Sequence, residues 1–305
     1  MTRLKIGTRG SKLALAQAYE TRRRLMDAHG WEEDDLEIVV IKTTGDMIRD
    51  RPLAEIGGKG LFTKEIEEAL ISGRIDIAVH SMKDVPALQP EGLTLSAFLP
   101  REDCRDAFLS PVAKTLDALP EGAKVGTSSV RRAAQLLARR PDLEITGFRG
   151  NVGTRLEKLK AGAVDATFLA CAGLNRLGLS AEITQAVPVD IMLPAVAQGA
   201  IGIEIREDDP DTRVLLDPLN DADTQVTVAA ERGFLIELEG SCRTPLAAHA
   251  TVSDDGVVSL QCEALTLDGR KVWRASRVGP ARDTGEMGRD AAREVLAAAG
   301  EELVL

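Results

Sequence analysis

Ile75-Asp76-Ile77-Ala78-Val79-His80-Ser81-Met82-Lys83-Asp84-Val85-Pro86 is the stretch on which the rest of the chain is organised. Ile75 to Val79 is a short apolar run rich in β-branched residues, the kind that forms a buried strand, and Pro86 forbids its continuation. A polar cluster sits just past the carboxyl end of that predicted strand, the edge at which open α/β sheets bind ligands. Asp84 is the candidate catalytic group, because a carboxylate beside Lys83 at this edge suits a cation developing on a ligand. An ordinary loop ion pair between Lys83 and Asp84 is the plain alternative.

Working outward, the same layout occurs twice. Leu4 to Gly7 reads as a strand that turns through Thr8-Arg9-Gly10 into a helix capped by Ser11 and ending at His29-Gly30. Leu36 to Ile41 is a second strand. Gly45 to Gly60, with Pro52 and Gly57-Gly58-Lys59-Gly60, reads as a mobile loop whose glycine spacing is not that of a P-loop. The helix after it places Phe62, Ile66 and Leu70 on one face. Further on, Lys124-Val125-Gly126-Thr127 echoes Lys5-Ile6-Gly7-Thr8. Leu143-Glu144-Ile145 echoes Leu36-Glu37-Ile38, and Gly162-Ala163-Val164-Asp165-Ala166 echoes Gly73-Arg74-Ile75-Asp76-Ile77. Three matches in one order predict two similar α/β domains with mainly parallel sheets, flanking a cleft. The expected bounds are 1–99, with 200–216 returning to that domain, and 105–193 for the second. Residues 220–305 form a small C-terminal α+β domain: a helix around Val226–Phe234, strands joined by Asp254-Asp255-Gly256 and Asp268-Gly269 turns, and a last helix toward Ala299.

Charge is unevenly placed. The chain has a formal net charge of -10, yet residues 124–160 hold nine Lys or Arg against three Asp or Glu. Arg131 and Arg132 fall in the first turns of the helix after Gly126-Thr127-Ser128-Ser129, a helix N-terminus suited to an anion. Arg149 and Arg155 bracket Gly150-Asn151-Val152-Gly153-Thr154, a second strand-to-helix turn, and Arg9 holds the matching place in the first domain. Guanidinium groups at such turns fork onto carboxylates, so a ligand with several carboxylates is expected, with phosphate as the second choice. Arg139 and Arg140, beside Pro141, read as a solvated face.

The acidic balance and the 3% aromatic content argue against nucleic acid or an anionic membrane as partner. No apolar run reaches membrane-spanning length, and no signal-peptide core precedes Leu4, so a cytoplasmic protein is expected. The cysteines are Cys104, Cys171, Cys242 and Cys262. With no C-x-x-C among them they indicate neither a metal site nor a disulfide framework. Cys171 and Cys262 read as core. Cys242, in Gly240-Ser241-Cys242-Arg243-Thr244-Pro245, lies in a loop where Arg243 favours the thiolate and a helix C-terminus opposes it, and an inert thiol is the plainer reading.

Five stretches carry a resemblance: V-H-S-M-K-D-V-P (79–86), V-G-T-S-S-V-R-R (125–132), R-G-N-V-G-T-R-L (149–156), L-P-A-V-A-Q-G-A-I-G-I-E (193–204) and E-G-S-C-R-T-P (239–245). On these, the chain resembles the porphobilinogen deaminases, or hydroxymethylbilane synthases, over nearly its whole length. The resemblance implies three domains, the first two like periplasmic binding proteins. It also implies a dipyrromethane cofactor joined by a thioether to Cys242, which reverses the inert reading of that thiol. The implied reaction condenses four porphobilinogen molecules head to tail with loss of ammonia, then releases hydroxymethylbilane by hydrolysis, in tetrapyrrole and heme biosynthesis. Carried over residue by residue, it assigns Asp84, Lys83, Arg9, Arg149 and Arg155 to catalysis. Ser81, Thr127, Ser128, Ser129, Arg131, Arg132, Arg176, Gln198, Phe62 and Lys59 are assigned to binding cofactor or substrate. No metal is implied, and a monomer is expected. Thr44 and Glu55 stand where many relatives carry basic residues, which shifts weight onto Lys59 in recruiting substrate. The competing expectation is a non-enzymatic polyanion-binding protein of binding-protein architecture.

Overall fold

Two aspartates explain why the sequence repeats. In the computed structural model, which describes residues 3–47, 60–238 and 244–303, Asp76 Oδ2 accepts a hydrogen bond from the Lys5 amide at 2.7 Å, and its own amide donates to the Lys5 carbonyl at 2.9 Å. Asp165 does the same with Lys124, at 2.7 and 2.8 Å. Each pair pins the start of two parallel strands in one register.

The chain divides into two units, Met1–Glu102 with Ala200–Gln225, and Asp103–Gly199 with Val226–Leu305. The first holds strands β1 (Leu4–Arg9), β2 (Leu36–Ile41), β3 (Ile77–Ser81), β4 (Leu93–Phe98) and β10 (Ile201–Arg206) in the order β2-β1-β3-β10-β4. β1 runs parallel to β2 and β3, and β10 is antiparallel to both its neighbours. The second holds β5 (Asp106–Leu109), β6 (Lys124–Gly126), β7 (Glu144–Thr146), β8 (Ala166–Ala170) and β9 (Gln185–Ala186) in the order β7-β6-β8-β5-β9. Here β6 is parallel to β7 and β8, and β5 is the antiparallel strand. The two orders match strand for strand. In each unit the antiparallel member is the first strand after the chain crosses over from the other unit.

The sequence echoes reappear as ladder partners: Ile6 pairs with Ile38 and Ile77, and Val125 with Ile145 and Ala166. The repeated glycine at the third position has a steric cause in both copies. A Cβ on Gly7 would stand 2.2 Å from Ile75 Cδ1, and one on Gly126 would stand 2.7 Å from the Phe148 ring.

Three expectations need correcting. β3 begins at Ile77, not Ile75, because Asp76 is engaged with Lys5, and it runs on to Ser81. His80 and Ser81 therefore belong to the strand, and only Met82–Asp84, a single 3-10 turn, lies beyond it. β1 continues two residues past Gly7, to Arg9. Phe62 precedes the Lys64–Ile71 helix instead of lying within it. The glycine-rich stretch opens with a short helix, Thr44–Met47; Glu55 and Lys59 lie outside the described residues.

The Lys12–His29 helix starts where Ser11 Oγ accepts from the Ala14 amide and stops at Gly30, whose φ of 63° is left-handed. Its Ala18 and Leu25 are buried against Leu4, Ile6, Ile77 and Val79, each large apolar side chain contributing about 1.5–3 kcal/mol.

In the C-terminal stretch, β11 (Leu246–Val252), β12 (Val257–Leu265) and β13 (Val272–Pro280) form an antiparallel meander. Gly256 and Gly269 supply the positive φ of its two turns. The Thr284–Ala299 helix meets the Ala222–Glu237 helix so closely that a Cβ on Gly288 would stand 2.1 Å from the Ala230 carbonyl oxygen. Among the described residues, no helix is long and apolar enough to cross a membrane.

Candidate active site

The turn that carries Asp84 is fixed from below. The Met82 amide donates to the Ala200 carbonyl at 3.1 Å, and the Val85 amide donates to the Met82 carbonyl. The Met82 side chain is buried over Gly202, where a Cβ would stand 2.1 Å from Sδ. With Met82 held inside and Pro86 ending the turn, Lys83 and Asp84 are left exposed at the carboxyl edge of the sheet.

Asp84 shares a pocket with Arg9, Phe62 and Ser81, all predicted site residues, and with Gln17 and Thr63, which the sequence reading did not single out. The Arg9 guanidinium lies 4.1 Å from the Phe62 ring centroid, a cation–π contact that aims a positive group at the pocket. Buried Gln17 donates from Nε2 to Ser81 Oγ at 2.7 Å and orients that hydroxyl. Thr44 is engaged with Glu65: its amide donates to Glu65 Oε1 at 2.9 Å, and its hydroxyl also bonds that oxygen. Burial pushes Glu65 up, but these hydrogen bonds outweigh it and leave the carboxyl below its usual range.

The second unit gathers the predicted arginines. Thr127 Oγ1 accepts from the Ser129 amide, Ser129 Oγ caps the Val130–Arg139 helix, and Ser128 Oγ accepts from the Phe148 amide at 3.0 Å, knitting the two strand-to-helix turns together. Arg131 and Arg132 are 4% and 6% exposed, which is far from a solvated helix face. Both turn onto Asp106, which is fully buried. Arg131 Nη1 lies 2.7 Å from Oδ2, and Arg132 Nη2 and Nε donate to Oδ1 at 2.6 and 3.0 Å. Gln198 Nε2 adds a bond to the same oxygen at 3.1 Å. Burial alone would raise the Asp106 carboxyl, yet the two guanidiniums hold it well below the carboxylate range.

Asp106 was not among the predicted residues. Its signal was an acid at the head of the apolar run Ala107-Phe108-Leu109, a charge carried onto a buried strand. Replacing Arg132 by Leu is predicted to cost about 1.5–3 kcal/mol in urea denaturation, since Arg131 remains to neutralise part of the buried charge. Arg139 pairs with Asp117 at the surface, so Arg139→Leu is predicted to cost about 0–1 kcal/mol. Equal losses would mean that burial of the first pair contributes nothing.

Arg155 differs from these. Its Nε donates to the Gly150 carbonyl at 2.8 Å. Burial pulls its pKa down to about 10, and the charges of Arg132 and Arg149 act in the same direction. Three positive groups thus converge beside the Asn151-capped helix Val152–Lys160, in an arrangement that an anion would relieve. Arg176 donates from Nη2 to the Gly199 carbonyl. Cys242 lies outside the described residues. Cys171 and Cys262 are buried, the first pushed up to about 12 by burial and the second also raised, so neither is a ready nucleophile.

Fold and site define a protein of two parallel-rich α/β halves and a small α+β domain, with a carboxylate at one sheet edge and a cluster of arginines in the second unit. The model for the porphobilinogen deaminase dipyromethane cofactor binding domain matches residues 4–214, and that for the porphobilinogen deaminase C-terminal domain matches 225–297. A porphobilinogen deaminase of Paracoccus denitrificans is 59% identical over 292 residues, covering 96% of this chain and 93% of that one. A chloroplastic porphobilinogen deaminase of Oryza sativa is 56% identical over 302 residues, covering 97% and 84%. Among solved structures, a periplasmic substrate-binding protein from Coxiella burnetii is similar at 16% identity and a TM-score of 0.44, covering 75% of this chain and 96% of that one. The chain belongs to the porphobilinogen deaminase family.

Proposed function

We propose that the chain catalyses the hydroxymethylbilane synthase reaction: it joins four porphobilinogen molecules head to tail, loses ammonia at each step and releases hydroxymethylbilane by hydrolysis. It is a transferase of tetrapyrrole and heme biosynthesis, acting in the cytoplasm as a monomer. The observation that carries this reading is the pair of family matches, which between them span both α/β halves and the C-terminal domain in family order. The non-enzymatic polyanion-binding alternative is not favoured, since relatives at 52–59% identity carry the enzyme's name along nearly the whole chain.

The arginine cluster fits a dipyrromethane cofactor, which carries four carboxylates. Arg155 is depressed by burial and by the charges of Arg132 and Arg149, and a bound carboxylate would offset both. Arg149 and Arg155 hold the cofactor's carboxylates, with Ser129 at the helix N-terminus and the N–H groups of Arg131 and Arg132 that Asp106 leaves over. Attached through Cys242, the cofactor supplies the free pyrrole α-carbon at which chain growth starts. In the other unit, Arg9 and Lys83 bind the acetate and propionate of porphobilinogen, Ser81 bonds the ring substituents, and Phe62 borders the ring. Asp84 accepts hydrogen bonds from pyrrole N–H and stabilises the positive charge that develops on the ring as ammonia leaves its aminomethyl carbon. Gln198 and Arg176 support the backbone that joins the halves, and Lys59 assists recruitment of the anionic substrate. Incubating the purified chain with porphobilinogen is expected to release four ammonia per hydroxymethylbilane; substrate bound without ammonia release would overturn the reading.

A further inference from the structure

Besides Arg206, whose guanidinium donates to the Leu70 and Ile75 carbonyls, the face of β3 and β10 that the Lys64–Ile71 helix covers carries three ionisable side chains in an apolar layer. Ile66, Ala69, Leu70, Ile75 and Ala78 form its core. His80, Glu204 and Glu67 are also buried, at 5%, 1% and 8% exposure. His80 Nε2 lies 3.1 Å from Glu204 Oε2, while Glu204 Oε1 is buried with no hydrogen-bond partner. None of the three has a part in the proposed chemistry.

A carboxyl removed from water beside a second buried carboxylate does not ionise freely, and Glu67, which burial raises, holds the cluster's proton. A proton on Glu67 makes its carboxyl a donor in the same layer that holds the unpartnered Glu204 Oε1. The position of Glu67 gives this consequence. It lies one turn into the helix whose entry residues, Phe62 and Thr63, line the Asp84 pocket, Phe62 under the Arg9 guanidinium.

We propose that Glu67, with Glu204 and His80, is a positioning group for the porphobilinogen pocket, and that loss of the cluster's proton loosens the helix and withdraws Phe62 and Thr63 from the pocket wall. The pocket's ligand rests on the function proposed above; the buried cluster does not. Burial is the largest cause raising the Glu67 carboxyl, with Glu204 and Glu65 acting the same way and the Thr63 hydroxyl and His80 opposing. The other charged groups near this layer are engaged elsewhere. Glu65 is held by Thr44, and Arg206 on β10 donates to the Leu70 and Ile75 carbonyls and pairs with Asp209. A raised carboxyl fixes the sign: the cluster is intact at low pH, and its contribution is lost as pH rises through the raised Glu67 value.

The test compares the parent enzyme with Glu67→Gln, which keeps a donor but cannot titrate. KM, kcat and Tm are measured for both across about pH 6–9. The parent's KM is expected to rise by about tenfold along the alkaline arm, a unit of differential protonation being a factor of ten. The KM of Glu67→Gln is expected to stay flat, with the pH effect in KM and not in kcat, and its Tm is expected to gain on the parent's as pH rises. Glu204→Gln removes the like charge from the other side and is expected to flatten the same profile, which keeps the test open if Glu67→Gln does not fold. Parallel KM profiles in parent and variants would overturn the positioning role, whatever Tm does. A parent chain without turnover would instead remove the proposed function, and the Tm comparison would still decide whether the cluster holds its proton.

Discussion

Cys242→Ser is expected to yield a folded chain that carries no dipyrrole mass and has no detectable turnover. The thiolate is the form that makes a thioether, and a hydroxyl at the same place does not replace it. Cys171 and Cys262 are buried with raised thiol pKa values, so they do not take over the role. Cys104, half-buried, follows Asp103 and precedes Arg105, which form an ion pair with each other at 2.7 Å. Without bound carboxylates the Arg132–Arg149–Arg155 cluster keeps its mutual repulsion, so the variant should also melt below the loaded parent, by the linkage that any lost ligand produces. Cys104→Ser, Cys171→Ala and Cys262→Ala should each retain the added mass. An active, loaded Cys242→Ser protein would end this account of attachment.

Asp84→Asn is expected to fold and bind substrate while losing about 10²–10³ in turnover, the usual worth of one group placed where charge develops. The amide preserves the size of an exposed side chain on a turn whose conformation is set by Met82 and Val85, so the fold has little reason to change. What it removes is the negative charge that the proposed reaction sets against the ring losing ammonia. A kcat within about threefold of the parent would exclude a charge-stabilising role.

The repeat was legible in the sequence because it is enforced by local rules. Asp76 and Asp165 pin strand starts, and Gly7 and Gly126 make room for Ile75 and Phe148, so the same residue types recur at the same offsets. The turns bearing Ser129 and Arg155 were legible as strand ends followed by a cap, and the one bearing Asp84 as a strand end closed by Pro86. What escaped depends on partners distant in the chain. Arg132 and Asp106 are 26 residues apart and His80 and Glu204 are 124 apart. The antiparallel strands β5 and β10, which carry these acids, enter their sheets only after the chain has left one unit for the other. The strand through 75–79 was displaced by two residues for a related reason, since nothing local announces that Asp76 belongs to Lys5.

The most direct measurement is the intact mass of the freshly purified chain, followed by peptide mapping. The account predicts a protein heavier than its sequence by one dipyrromethane, with all of the extra mass on the peptide containing Cys242. A chain whose mass equals that of its sequence, with Cys242 a plain thiol, or an adduct on any other cysteine, would contradict it.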